Sequence, residues 1–414
     1  MTRPLTLAQK LVARASGRRS VAPGEIVTCK VDLAMVHDSS GARRLKPRLE
    51  RLGAKVWDPS KVVVITDHYL PAYDDESRRI IQITRDWVRE AGVDAFYDEQ
   101  GICHVVLPER GHLRPGMFAV GGDSHSPTGG AFAAYMFGIG ATEMLGVMVT
   151  GEIWLRVPHT IAMEFDGTLR PGVSAKDIML FLIGRFGMDG GQYQAVEYRG
   201  AAIRALPMQE RMTLCNMTAE LGGQTGLISS DEVTRRYLKK DIEIWDSDAD
   251  AALLAHHRFD AATLAPQVAA PHSPANTRPV TDFREPIDLA YIGACTGAKL
   301  EDLRMAASVL KGRKAKSRLL VAPASLRDQQ AAEREGTLGI LLDAGAELLA
   351  NSCGMCAGYG AHLLGDDAVA ISSTARNFKG RMGAPSAQVY LASPYTVAAS
   401  AVAGRIADPR ELLE

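Results

Sequence analysis

The sequence has few cysteines, no long apolar segment and no excess of charge of either sign, and each of these features excludes a class of protein. Its six cysteines among 414 residues are too sparse for a disulfide-stabilised secreted domain, and the first residues do not resemble an export signal. No apolar run approaches the ~20 residues that cross a membrane. The 47 basic and 48 acidic residues leave a net charge of -1, which provides no field to attract nucleic acid or an anionic membrane. We therefore expect a cytoplasmic protein with reduced thiols that binds neither nucleic acid nor membranes.

Short apolar runs alternate with segments typical of helices, which predicts an α/β protein with mostly parallel sheets. The predicted strands are 62–65, 118–120, 289–292, 319–322, 348–350 and 369–371. The predicted helices are 75–90, 131–144, 300–310 and 395–406. Five prolines and little periodicity in 259–286 predict a linker, and a second boundary is expected near Val157 and Pro158.

Chemically reactive side chains follow five of these predicted strands. Asp67 and His68 follow the strand 62–65, and Asp123, Ser124 and His125 follow 118–120. Cys295 follows 289–292, Cys353 and Cys356 follow 348–350, and Arg376 follows 369–371. Ligands of open α/β sheets bind beyond the carboxyl ends of the strands. Taken singly, the polar pairs could cap helices and His104 could be a hydrogen-bonded core histidine. Their common placement favours a functional site.

Cys353 and Cys356 form a C-x-x-C pair, which is compatible with a redox dithiol, half of a zinc site or part of an iron-sulfur site. A second C-x-x-C or a histidine pair at zinc-finger spacing is absent from the sequence. Cys295 also follows a predicted strand, and three thiolates would leave a cubane cluster one ligand short. An iron without a protein thiolate keeps an open position at which it can act as a Lewis acid.

Seven motifs carry a family resemblance. In chain order they are VITDHYLP, GICHVVLPE, GGDSHSPTGGAFAAYMFGIGATEM, NMTAELGGQTGL, GACTGAKLEDLR, NSCGMCAG and ARNFKGRMG. The sequence resembles the aconitase superfamily over about 31–405, and within it the branch of short 3-isopropylmalate dehydratase large subunits. This resemblance implies three aconitase-type α/β domains, 1–157, 158–285 and 286–414, around a central cluster site, with the swivel domain absent from the chain.

The resemblance also implies roles for fourteen residues. Cys295, Cys353 and Cys356 would ligate a 4Fe-4S cluster. Three histidine-carboxylate pairs would be catalytic: Asp67 with His68, His104 with Asp123, and His125 with Glu220. Substrate or iron-bound solvent would be contacted by His37, Ser124, Asn216, Arg376 and Arg381.

The activity that the resemblance implies is that of a hydro-lyase, which interconverts a small hydroxy diacid with its unsaturated acid, as in leucine biosynthesis. Because the sequence ends at Glu414, we expect a separate small swivel-domain subunit to supply the catalytic serine, in a heterodimer or heterotetramer. The sequence departs from the family at Ala375, at 297–299 and at 351–352. These departures keep related substrates open: citraconate or 2-methylmalate, dimethylmalate, maleate and homoaconitate. An alternative of another class is a non-catalytic iron-sulfur sensor.

Overall fold

A computed structural model describes residues 3–413, and Met1, Thr2 and Glu414 lie outside the described residues. Between residues 3 and 157 the chain forms the strands β1 (Ile26–Lys30), β2 (Leu33–His37), β3 (Val62–Ile65), β4 (Ala95–Tyr97), β5 (Phe118–Gly121), β6 (Tyr135–Gly138) and β7 (Glu152–Arg156). The helices of this region are α1 (Leu7–Ala15), α2 (Ala42–Leu52), α3 (Asp75–Ala91), α4 (Cys103–Glu109) and α5 (Ala141–Thr150). Five strands form a parallel sheet in the order β4-β3-β2-β5-β6, and β1 pairs with β7 in an antiparallel ribbon.

Residues 160–260 form a second sheet. Its strands are β8 (Thr160–Asp166), β9 (Ala195–Arg199), β10 (Thr225–Leu227) and β11 (Ala255–Asp260), which are parallel in the order β10-β9-β8-β11. The helices are α6 (Ala175–Phe186), α7 (Ala201–Ala205), α8 (Met208–Asn216) and α9 (Glu232–Leu238).

Residues 267–403 form a seven-stranded sheet with its helices. The strands are β12 (Gln267–Ala269), β13 (Thr277–Pro279), β14 (Leu289–Ile292), β15 (Arg318–Val321), β16 (Ala346–Leu348), β17 (Val369–Ser372) and β18 (Gln388–Ala392). The helices are α10 (Leu300–Leu310), α11 (Leu326–Arg334), α12 (Thr337–Asp343) and α13 (Pro394–Ala403). The sheet order is β13-β12-β18-β17-β14-β15-β16. In the described pairs β12 is antiparallel to both β13 and β18, and the other neighbouring strands are parallel.

The five-stranded sheet is buried on both faces. Along β3, Val63 and Ile65 belong to one large apolar cluster, whereas Val62 and Val64 belong to a second one on the opposite face. Strands of a parallel sheet covered on both sides are expected to be apolar at every position. The first of these clusters continues through all three sheets, so the polar loops at the strand ends rest on one shared core.

The predicted α/β class with mostly parallel sheets is confirmed, but the helix predicted at 131–144 is wrong. Ser126–Phe132 is a 3-10 helix, β6 follows it, and α5 begins only at Ala141. The buried strand β6 is apolar at Tyr135, Met136 and Phe137, and a short continuous apolar run cannot be distinguished from a helix by its period. The strand predicted at 348–350 ends two residues earlier, at Leu348.

The predicted linker at 259–286 is also wrong in part, because it contains β12 and β13. Val268 and Ala269 on β12 are fully buried, and β12 pairs with both β13 and β18. The prolines are tolerated because β13, which ends at Pro279, is the edge strand of its sheet. The domain division at 157 and 285 stays a prediction, and its second boundary would separate β12 and β13 from the sheet to which they belong.

Within residues 3–413, no helix is both long enough and apolar enough to cross a membrane.

Candidate active site

The predicted site residues surround one cavity of about 380 Å³. Eleven of the fourteen line it: His37, His68, His104, Asp123, Ser124, His125, Cys295, Cys353, Cys356, Arg376 and Arg381. The other three lie behind the wall, where Asp67, Asn216 and Glu220 each hydrogen-bond a lining residue. The cavity lies at the carboxyl ends of β2, β3, β5, β14 and β17, as expected for an open α/β sheet.

His68 and Asp67 form an ion pair directly after β3. His68 Nδ1 lies 2.6 Å from Asp67 Oδ1. Burial alone would lower the pKa of His68, but the Asp67 carboxylate raises this pKa to about 10. Burial would raise the pKa of Asp67, but His68 holds it well below its usual range. His68 is therefore an imidazolium at neutral pH, and its Nε2 lies 3.8 Å from Asp123 Oδ2.

Backbone contacts hold this pair in place. Asp38 Oδ1 accepts hydrogen bonds from the backbone N–H groups of Asp67 and His68, both at 3.1 Å. Asp67 Oδ2 accepts one from the backbone N–H of Cys103 at 2.7 Å, and its backbone oxygen accepts one from Cys353 N at 2.8 Å. Asp67 thus connects the histidine to the loop that carries two cysteines.

His104 and Asp123 form a second pair, with His104 Nε2 2.7 Å from Asp123 Oδ1. Burial opposes ionisation of Asp123, but His104 and the other imidazoles around it hold the pKa of this carboxyl well below its usual range. His37 stacks on His68 with ring centroids 3.9 Å apart. Burial, and then the neighbouring His68 charge, lower the pKa of His37 to about 4. The stack therefore consists of one neutral and one charged ring at neutral pH.

His125 and Glu220 form the third pair, which includes an arginine. His125 Nε2 lies 2.9 Å from Glu220 Oε1, and Arg376 Nε donates to the same oxygen at 2.6 Å. Arg376 also donates to Ser124 Oγ at 3.0 Å. Burial would raise the pKa of Glu220, but His125 and Arg376 lower it to about 2. The carboxylate orients both an imidazole and a guanidinium that face the cavity.

The three cysteines reach the cavity from two loops. Cys295 follows β14. After β16, Cys353 directly precedes the short 3-10 helix Gly354–Ala357, which contains Cys356. Burial raises the pKa of Cys295 to about 12, whereas a hydrogen bond from Cys353 lowers the pKa of Cys356. Asn216 Nδ2 donates to Cys295 Sγ at 3.2 Å and to Thr128 Oγ1 at 2.8 Å.

The donor set fits an iron-sulfur cluster better than a single ion. Among residues 3–413, the three cysteine sulfurs do not form a group whose ligand atoms all lie within 4.8 Å of one another. A cubane bonds each thiolate to a different iron, so its ligands need not converge on one point. Polar atoms in or behind the wall, His37 Nε2, Asn216 Oδ1, Glu220 Oε2 and Arg381 Nε, are buried without a partner within the described chain, and buried polar atoms normally have one.

Two histidine-carboxylate groups have ligand atoms that all lie within 4.8 Å of one another, close enough to hold an ion. They are His37 with Asp38, Asp67 and His68, and His104 with Asp123 and His125. Their members are already hydrogen-bonded to one another or to backbone amides. These carboxylates and rings thus already have partners within the protein, which disfavours their use as ligands of an ion.

Sequence reasoning missed several polar residues at this site. Asp38 follows β2 at a strand end, which is a signal that could have identified it. Arg44 lines the cavity from α2 and has no strand-end signal. Lys176 and Lys299 are almost completely buried behind the wall. A local pattern does not reveal the contacts of Lys176 with Ser373 or of Lys299 with Thr213, because these partners are distant in sequence.

Comparisons with known proteins show the family of the chain. Residues 9–404 match the model of the aconitase family (aconitate hydratase). The chain is 44% identical over 417 residues to 3-isopropylmalate dehydratase large subunit 1 of Methanopyrus kandleri, with 99% of each chain covered. It is 43% identical over 416 residues to a probable 3-isopropylmalate dehydratase large subunit of Methanothermobacter thermautotrophicus, again with 99% of each covered. It is 45% identical over 388 residues to a probable methanogen homoaconitase large subunit of Methanosarcina mazei, with 92% of this chain and 99% of that one covered.

Proposed function

The chain belongs to the aconitase family, and on that basis we propose that it is the large, catalytic subunit of an iron-sulfur hydro-lyase. The reaction is the reversible removal of water from a small hydroxy diacid, and 3-isopropylmalate is the first candidate substrate, which would place the enzyme in leucine biosynthesis. Relatives named as 3-isopropylmalate dehydratase large subunits support this choice. One relative is named as a probable homoaconitase large subunit, so homoaconitate remains in the substrate panel with citraconate, dimethylmalate and maleate.

One observation carries the proposal. Three histidine-carboxylate pairs and two arginines face or adjoin the same cavity as three cysteines. Loss of water from a hydroxy acid needs an acid for the departing hydroxide, cations for the carboxylates and an electrophile beside both. The cavity brings side chains for the first two roles together and offers thiol ligands for the third.

We assign Cys295, Cys353 and Cys356 as ligands of a 4Fe-4S cluster. When bound, such a cluster supplies a Lewis-acidic iron without a protein thiolate. Asn216 would support the assembly, because its amide N–H already points at the Cys295 sulfur and hydrogen bonds to sulfur tune such clusters. A cluster of this kind needs reduced thiols, which is why we propose a cytoplasmic location.

His68 is the proposed proton donor to the departing hydroxyl. The Asp67 carboxylate keeps its imidazole protonated and fixes its orientation through Nδ1, which leaves Nε2 free to face the cavity. His104 and His125, each held by a carboxylate, would pass protons to and from solvent and the reacting oxygen. Neutral His37 and the Ser124 hydroxyl would contact the substrate.

Arg376 and Arg381 are the proposed ligands of the substrate carboxylates. A guanidinium presents two parallel N–H groups to a carboxylate, a geometry that gives both affinity and orientation. Arg376 is held by Glu220 and Ser124, while Arg381 Nε is buried and without a partner in the described chain. Arg44 adds a third guanidinium to the cavity wall.

The base that removes the carbon-bound proton is proposed to lie on a partner. Relatives are named as large subunits, a name that implies a separate small subunit for those proteins. For this chain we propose a swivel-domain subunit that supplies a serine base, further substrate contacts and the specificity loop, in a heterodimer or heterotetramer.

The proposal is tested by anaerobic reconstitution with iron and sulfide, of the chain alone and together with a candidate small swivel-domain subunit, followed by assays on the diacid panel. We expect turnover of one diacid by the complex and none by the isolated chain. Full turnover by the isolated chain would contradict the proposed need for a small subunit. A complex that contains the cluster but neither hydrates nor dehydrates any of these acids would contradict the hydro-lyase assignment.

A further inference from the structure

A buried lysine behind the cavity joins two of the loops that form its wall. Lys176 lies in the first turn of α6, and only 1% of its surface is exposed. Its Nζ donates hydrogen bonds to the backbone oxygens of Ser373 and Thr374, both at 2.6 Å, and lies 3.2 Å from Thr296 Oγ1. Three acceptors match the three N–H bonds of an ammonium group.

These acceptors are neighbours of two proposed site residues. Thr296 directly follows Cys295, and Thr374 lies two residues before Arg376. Thr296 Oγ1 also donates to the backbone oxygen of Ser373 at 3.0 Å. Lys176 therefore contacts both loops close to these residues. One loop carries Cys295, a proposed cluster ligand, and the other carries Arg376, a proposed substrate ligand.

The two loops pack against each other without a spacer. Ser373 Oγ accepts a hydrogen bond from the backbone N–H of Gly293 at 2.9 Å. A Cβ atom added at Gly297 would lie 2.2 Å from Ser373 Oγ, so this contact needs a glycine. The loops are thus in close contact, and Lys176 adds hydrogen bonds to both of them from α6, a helix of the region that forms the four-stranded sheet.

Neither helix formation nor core packing explains a lysine at this position. The first turn of a helix favours anions and disfavours cations, and α6 already has a capping box formed by Ser174 and Asp177. Burying an ammonium group is costly unless its hydrogen bonds are satisfied. Burial lowers the pKa of Lys176 to about 8, which still leaves the amine largely protonated at neutral pH. The three acceptors are the feature that accounts for this residue.

We propose that Lys176 is a positioning residue that holds Cys295 and Arg376 in one fixed arrangement. It does not line the cavity, so it acts through the two loops and not on the substrate. The inference rests on the proposed function for what the two residues do, but the connection between the loops is a property of the chain itself.

The first test uses the metal-free chain, where no activity is needed. Amide hydrogen exchange of wild type and Lys176→Met is compared by mass spectrometry for segments 293–299 and 372–376. We expect faster exchange in both segments and unchanged exchange in the first sheet, since one bridging contact is lost. Lys311→Met, the same substitution at an exposed lysine, is the control and is expected to match wild type.

Lys299 provides a matched comparison, because it supports only one of the loops. Its Nζ donates to the backbone oxygen of Cys295 at 2.9 Å and to Asp302 Oδ2 at 2.6 Å. Lys299→Met is therefore expected to increase exchange in 293–299 and leave 372–376 unchanged. If Lys176→Met increases exchange in both segments and Lys299→Met increases it in only one, the effect of Lys176 is a specific connection between the loops and not a general loss of stability.

The second test follows cluster retention in the reconstituted chain. Supporting residues around metal ligands typically change affinity by about 10- to 100-fold, so Lys176→Met is expected to lose iron to a chelator faster by a factor of that order. If the wild-type chain takes up no cluster, the proposed function fails, while the exchange experiment still decides the connection between the loops.

The proposal is overturned if folded Lys176→Met shows wild-type exchange in both segments. Should that variant not fold, Thr296→Val removes one contact of the ammonium and its bridge to Ser373 while keeping the side-chain shape. Its exchange is expected to rise in both segments, and unchanged exchange would overturn the proposal equally.

Discussion

The two sides of the cavity are built on different principles. The side from the five-stranded sheet carries ionisable groups that are paired within the protein, His68 with Asp67 and His104 with Asp123. The side from the seven-stranded sheet carries three thiols without a carboxylate or histidine partner in the described hydrogen bonds, and Arg381 Nε, which is buried without a partner there. The first side thus pairs its ionisable groups within the chain, as the proposed proton transfer requires, whereas the second leaves the groups that we propose to bind the cluster and the substrate without such pairs.

The pKa shifts of one residue from each side, His68 and Cys295, illustrate this difference. On the first side, ion pairs overcome burial and keep His68 charged. On the second side, burial dominates at Cys295 and favours the neutral thiol. A metal must displace that proton, so cluster assembly is expected to release protons and to weaken at low pH.

The largest effect is expected from Cys353→Ser, which removes a thiol from the second side. The chain should then retain no intact cluster and the complex should lose its activity, because two thiolates hold the iron less well and leave a second iron open. Iron and sulfide content per chain is the measurement. Cys29→Ser is the control, since Cys29 is buried on β1 away from the cavity, and a fully loaded and active Cys353→Ser would contradict the ligand assignment.

The next largest effect is expected from His104→Asn on the first side. Loss of a proton-transfer group typically costs about 10²- to 10⁴-fold in rate, and the iron content should stay at the wild-type level because no cluster ligand is touched. His112→Asn is the matched control, since His112 bonds Tyr97 outside the cavity. An iron-sulfur sensor predicts the opposite result, namely that His104→Asn changes neither catalysis nor any cluster-dependent response.

Arg376→Lys tests the contact between the two sides. A lysine keeps the charge but cannot bond both Glu220 and Ser124 in the geometry of the guanidinium, so kcat/KM should fall by about 10²-fold, as for the loss of one donor to developing charge. Arg318→Lys is the control at the opposite end of the same sheet, where Arg318 pairs with Glu347 at the surface. Equal values of kcat/KM for the two variants would contradict the proposed role of Arg376 in substrate binding.

The smallest effect is expected in the pH dependence of stability, measured by urea unfolding of the metal-free chain. The folded pKa of His68 is raised to about 10, above the ~6.5 of an unperturbed histidine. Its contribution to the free energy of unfolding is therefore fully present below about pH 6.5 and is lost as pH rises through about 10. The stability difference between wild type and His68→Gln should narrow over that range.

His37 should show the opposite slope. Its folded pKa is lowered to about 4, so its contribution is present above about pH 6.5 and is lost as pH falls through about 4. The stability difference between wild type and His37→Asn should therefore narrow on acidification. Parallel slopes for the two variants would contradict the assignment of one charged and one neutral ring.

The sequence predicted the strand ends well because local signals define them. The bounds predicted for β3, β14 and α10 coincide with the structure, since each strand is a short apolar run that ends at a polar or small residue. The convergence of Asp67 and Asp123 then follows from the parallel strands β3 and β5, whose carboxyl ends lie at one edge of the same sheet. Cys295 follows β14 of the seven-stranded sheet, so its approach to them depends on how the two sheets pack and not on strand order alone.

Other parts could not be predicted from local pattern. Asn216 and Glu220 come from the end of α8 and the turn after it, and only the family resemblance identified them. Lys176 bonds residues 197 and 198 positions away, and a lysine in the first turn of an apolar helix gives no sign of such a partner. The helix predicted at 131–144 failed because a buried strand and a buried helix have the same composition over a few residues.

The contacts of Asp67 have a consequence for how much the loop before Cys353 can vary in length. Most surface connections accept insertions with little thermodynamic penalty. Here the backbone of Asp67 receives the Cys353 amide while its side chain orients His68, so the spacing between acid and sulfur is defined by main-chain atoms. An added residue between Leu348 and Cys353 would shift the Cys353 sulfur relative to the His68 imidazole. We therefore expect this short connection to tolerate a change of length as poorly as an interior strand does.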